Sequence, residues 1–120
     1  MRAFLLSMLT LLPFAAQAQS APVCPDSGLH FEFQTSRPAR WVSDTTLVVR
    51  PTAAIQNPAN LVQFVVDPAG VPEPRSFRVL RSTDSALVVD VRQTFVRWRY
   101  SSAMMHGCRV RQLIQTPVGR

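Results

Sequence analysis

Four clusters in the 120-residue chain carry side chains capable of chemistry. Met104, Met105 and His106 are soft ligands of the kind that bind copper, with Cys108 two residues on. Arg97-Trp98-Arg99-Tyr100 interleaves cations with aromatics, as nucleic-acid surfaces do. Cys24 and Cys108 are the only cysteines. Arg109 and Arg111 alternate with Val110 and Gln112 on a segment that reads as a strand. The metal reading is weak, because no CxxC or spaced histidine motif accompanies the trio. No nucleophile elbow, zinc motif or phosphate loop occurs, so we expect neither catalysis nor a cofactor nor a metal.

The compartment limits what the remaining clusters can meet. Met1 to Ser20 has a basic start at Arg2, an apolar run and a small-x-small site at Ala16-Gln17-Ala18. That is the pattern of a secretory signal peptide over residues 1–18, cleaved after Ala18. Pro13 interrupts the apolar run, which falls short of the roughly 20 residues of a membrane span. The expected location is the periplasm. An uncleaved, inner-membrane-anchored form is the alternative, and membrane association is expected only in that case. In an oxidising compartment two cysteines read as one disulfide, Cys24–Cys108. The exported chain carries twelve arginines and no lysine against seven acids, a net charge near +5. An exported basic domain rarely meets nucleic acid, so a protein partner is expected and nucleic acid is not.

The elements that must position these residues follow from periodicity. Leu29 to Gln34 alternates Leu, Phe and Phe with His, Glu and Gln, predicting a half-buried strand. Trp41-Val42 and Thr46 to Val49 predict further short strands. Leu61 to Val66 is a strong apolar strand, and Asp67-Pro68-Ala69-Gly70 is turn chemistry. Arg75 to Arg81 predicts its hairpin partner. Ser82, Thr83 and Asp84 offer N-caps to a helix of about 14 residues carrying Leu87, Val88, Val91, Phe95 and Trp98 on its apolar face. Tyr100 to His106 reads as a connection, and Cys108 to Thr116 as a last strand ended by Pro117. The fold class expected is α+β: a small antiparallel sheet with one main helix packed on one face, plus extra N-terminal strands.

Several of these pieces occur together in one family. Val66-Asp67-Pro68-Ala69-Gly70 ends an apolar strand, and Arg78-Val79-Leu80-Arg81-Ser82 follows. The helix ends in Trp98-Arg99-Tyr100, with Ala103, Gly107 and Val110 at set distances beyond it. In this ordered set the chain resembles the C-terminal domain of TonB-type energy transducers, over residues 61–117, in an exported form without a clear anchor or proline-rich spacer. Residues 19–60 form an N-terminal extension with short strands. The resemblance implies that the domain binds an extended segment of an outer-membrane transporter or other envelope protein by strand addition. By position the binding edge is Arg109, Val110, Arg111, Gln112, Leu113, Ile114 and Gln115. A free edge also permits a homodimer by strand exchange. The alternative is a disulfide-stapled structural or adaptor protein of the cell envelope without energy coupling. Arginines on a bare strand edge have a second reading, as charges that discourage aggregation. The expected cleavage is checked by the mass of the protein recovered from cell fractions, which should correspond to a chain starting at Gln19.

Overall fold

The computed structural model describes residues 21–25, 28–42, 44 and 46–120. The predicted signal peptide and its cleavage site lie outside the described residues. The molecule is α+β: a curled six-stranded sheet with one helical segment packed against it. Its strands are β1 (Leu29–His30), β2 (Arg50–Pro51), β3 (Leu61–Val66), β4 (Arg78–Arg81), β5 (Ala103–Met105) and β6 (Cys108–Gly119). The helix, α1, spans Ser85–Thr94, and a 3₁₀ turn continues it over Phe95–Arg97. The main path runs β1-β6-β3-β4, with β2 and β5 also pairing β6.

The strong apolar run of the sequence is the centre of the sheet. β3 pairs antiparallel with β6 from Leu61–Pro117 to Val66–Gln112, and on its other side with β4. Val62, Phe64, Ile114 and Thr116 share the face that meets α1. Asp84 starts that helix by accepting the Leu87 N–H at 3.1 Å. That bond, above all, lowers the Asp84 carboxyl pKa. Leu87, Val91, Phe95 and Trp98 are buried. The 3₁₀ turn aligns residues three apart, which puts Phe95 and Trp98 on the same side. Phe64 lies within 5.8 Å of the Phe95, Trp98 and Tyr100 rings, measured between centroids. Such aromatic pairs contribute about 0.5–1.5 kcal/mol each beyond simple burial. The exposed Arg120 pairs with Asp84 and Asp90 fall at about 0–1 kcal/mol, so the aromatic cluster dominates.

The N-terminal part departs from its sequence reading. Of the predicted Leu29–Gln34 strand only Leu29–His30 is extended and paired, and the chain then enters a 3₁₀ turn at Glu32–Gln34. Phe31 and Phe33, expected on a buried face, are 45% and 84% exposed. Trp41 makes a single bridge to Tyr100 rather than a strand. Leu47 and Val49 do enter the core, and the Trp98 indole N–H donates to the Val49 carbonyl at 3.2 Å. The segment straps across the core and adds only two short strands, β1 and β2, to the sheet. Pro117 does not end β6, which runs on to Gly119.

The Asp67–Gly70 turn is a second lock. Asp67 Oδ1 accepts from the Ala69 and Val71 amides, both at 2.9 Å. Gly70 has φ +83 and its carbonyl accepts the Tyr100 N–H at 2.9 Å. A Cβ at Gly70 would collide with the Tyr100 carbonyl. Gly70→Ala should therefore destabilise the protein by about 2–5 kcal/mol, combining a left-handed backbone penalty of about 1–2 with about 1–3 from overpacking. Chemical denaturation checks this value.

Candidate functional site

β6 carries the candidate site, and the geometry of its two edges defines it. Val118 donates to the Asn60 carbonyl on the β3 side, whereas the Pro117 carbonyl accepts from Thr52 on the opposite side. Backbone groups alternate between edges along a strand. Odd-numbered residues from Arg109 to Pro117 therefore turn their backbone outward, and even-numbered ones face β5 and β3. This explains how Pro117 sits inside a strand: its missing N–H falls on the outer edge, where the β3 ladder does not use it.

The protein's own N-terminal chain covers the first part of that outer edge. Arg109 donates to the Pro22 carbonyl at 2.8 Å and accepts from Cys24 at 2.9 Å. Arg111 and Gln112 lie opposite Leu29 and His30 of β1, in parallel register. The Cys24–Cys108 disulfide, expected from the compartment argument, pins this cover in place across 84 residues. β2 and Thr52 cover the edge again at Pro117–Gly119. Between the two covers, Leu113 to Thr116 faces no paired strand among the described residues. Gln115 turns both its N–H and its C=O into this gap. Four residues at about 3.3 Å each leave a window of about 13 Å.

The expectation of a bare edge over Arg109–Gln115 is therefore corrected. Arg109, Val110, Arg111 and Gln112 are paired within the chain, and only Leu113, Ile114 and Gln115, together with Thr116, stand at the window. The two arginine side chains also bond within the chain. Arg109 Nε donates to the Ala21 carbonyl at 2.7 Å. Arg111 forms a two-pronged pair with Glu73, both bonds 2.8 Å, and that hydrogen bonding raises its pKa. Sequence spacing placed these arginines on a strand, but the strand's neighbours lie far away along the chain.

Each face of the window has a hollow. On the core face a cleft of about 470 Å³ runs past Ala39, Trp41, Tyr100, Ile114 and Thr116 to Pro51–Ala54. On the other face a smaller hollow of about 390 Å³ is lined by Phe31, Glu32, Phe33, Leu113 and Gln115. Phe31 and Phe33 stack at 5.7 Å, nearly parallel. Tyr100 is buried, and loss of water pushes its hydroxyl well above its ordinary pKa of 10.0. Sequence reasoning took Tyr100 into a basic-aromatic cluster and Trp41 into a short strand, and it missed the exposed pair Phe31 and Phe33. The available signal was the Leu-Phe-Phe alternation, which predicted burial that this sheet does not supply.

The other chemical clusters are used structurally. The Arg99 guanidinium donates to the Val96 and Trp98 carbonyls at 2.8 and 2.7 Å, satisfying carbonyls that the helix end leaves open. Trp98 is fully buried. Met104 and Met105 are neighbours on β5, so their side chains point to opposite faces. His106 and Gly107, with φ 52 and 78, form the two-residue turn into β6. No family model, curated protein or solved structure matches the chain.

The disulfide's role at the edge is testable. Replacing both Cys24 and Cys108 by serine should cost about 2–5 kcal/mol. In hydrogen exchange the Arg109 amide, which faces the cover, should lose protection beyond this global loss. The Thr116 amide, which faces β3, should follow the global loss alone. Equal losses at both positions would contradict a pinned cover.

Proposed function

We propose that this is a periplasmic, TonB-like C-terminal-domain protein that binds an extended segment of an envelope or outer-membrane transporter protein by strand addition at Leu113–Thr116. The observation that carries the reading is the window itself. A strand edge closed at both ends by the chain's own segments, and open for four residues between hollows on both faces, is suited to a short guest strand. Backbone groups of the guest would pair with Gln115 and the Leu113 carbonyl. The order of β3, β4, α1 and β6, with α1 against the sheet formed by β3 and β6, is the α+β order that the sequence pattern predicts for this half of the chain. Among the described residues no helix is long and apolar enough to cross a membrane.

A second reading, a disulfide-stapled structural or adaptor protein of the envelope without energy coupling, draws on one observation. The outer edge of β6 is covered by the chain itself as far as Gln112, under a disulfide. The two readings part at Gln115. Its N–H faces outward, so Gln115→Pro removes a donor from the window and spares the β3 ladder. The variant should melt within about 5 °C of the parent, roughly the shift for 1 kcal/mol in a domain of about 100 residues. It should also bind labelled TonB-box-like peptides at least about tenfold more weakly. Absence of peptide binding by the parent protein at high concentration would leave the structural reading.

A further inference from the structure

We infer that the core-face cleft beside the window is a recognition pocket for a side chain bearing an acceptor oxygen, a carboxylate or an amide, on the docked segment. The inference rests on the strand-addition reading above and adds to it what the guest must carry. Two polar atoms lead to it. Tyr100 is 7% exposed and its hydroxyl bonds no described group, and the buried Trp41 indole N–H is likewise without a partner. Both residues line the cleft together with Ile114 and Thr116. Their antiparallel bridge sets Trp41 and Tyr100 side by side on one face.

Two comparable groups nearby are satisfied, whereas His30 Nδ1 on β1, away from the cleft lining, is a third buried atom without a described partner. The Trp98 indole N–H reaches the Val49 carbonyl, and the buried Gln112 amide oxygen accepts the Ala39 N–H at 2.7 Å. Buried polar groups normally find partners, so two unmatched ones on residues that line a single cleft next to an open strand edge point to a ligand. An indole N–H can only donate, and a neutral phenol donates readily, so the matching group is an acceptor. Arg40 stands at the rim. Its contact with Glu32 is loose, at 3.9 Å between side chains 74% and 64% exposed, and can yield to a carboxylate on the guest.

Strand geometry then sets the pattern of the guest. A segment added at Leu113–Thr116 points alternate side chains to opposite faces. One residue enters the cleft, and the residues before and after it lie toward Phe31, Phe33 and Leu113. The docked segment is therefore apolar, acceptor, apolar over three residues.

The test uses the full mature chain with its disulfide intact and a peptide Ser-Thr-Val-x-Val-Thr-Ser, capped at both ends, in which x is Gln, Glu or Leu. Nuclear magnetic resonance follows the Gln115 amide and the two indole N–H signals, with Trp41 identified by Trp41→Phe. The Gln115 amide should shift with all three peptides. The Trp41 indole should shift with Gln and Glu but not Leu, while Trp98 stays still. The Gln and Glu peptides should bind about tenfold more tightly than Leu, a preference that Tyr100→Phe reduces. A Gln115 response to all three peptides with a still Trp41 signal and equal affinities would overturn the pocket and leave strand addition standing. A Gln115 amide that ignores every peptide would overturn both.

Discussion

The pairing of β6 is the constraint on which the rest of the structure depends. Twelve consecutive extended residues offer donors and acceptors on two edges, and backbone groups left unpaired away from water are costly. The inner edge is filled by β5 and β3, which fixes the register of the core face. Val62, Phe64 and Ile114 then face α1, and Trp98 and Phe95 follow. The outer edge takes whatever the N-terminal chain can supply, and the supply is discontinuous. The window at Leu113–Thr116 is the part of that edge for which the described chain has no strand.

The disulfide belongs to this arrangement as well as to stability. It joins the start of the described chain to the first residue of β6. A parallel partner as short as β1, two residues long, would be a weak cover by itself. Cross-linked at Cys24 and bonded through Arg109, it becomes a fixed boundary of the window. The Arg111–Glu73 pair stands near the same boundary, tying β6 to the chain just before the Pro74–Ser76 turn. Charges read in the sequence as outward-looking are spent on holding the strand's own neighbours.

Legibility differed between the two halves of the chain. From Leu61 onward the strands, the turn at Asp67–Gly70 and the helix through Trp98 could be read, because their partners are close in sequence and their periodicity is strong. Two differences there were of extent: the helix tightens into a 3₁₀ turn at Phe95, and β6 passes through Pro117 because of which edge its nitrogen faces. A third was of kind, since Tyr100–His106, read as a connection, contains strand β5 at Ala103–Met105. Before Leu61 the period-2 pattern of Leu29, Phe31 and Phe33 was misleading. Alternation shows that a segment can be a strand, but the extent of pairing depends on a neighbour some 80 residues away. The candidate site suffered most. The correct strand was picked, yet which of its residues are open depends on segments that local pattern cannot place.

The sequence by itself determined the central antiparallel sheet, its helix and the pairing of two cysteines, since local periodicity, turn chemistry and an even cysteine count suffice for these. Only the tertiary structure decided that Arg109 to Gln112 are covered, that Leu113 to Thr116 are open, and that Trp41 and Tyr100 line one cleft. The reason is physical. Which edge of a strand stays free is set by contacts between distant segments, and no local pattern of residue types records them.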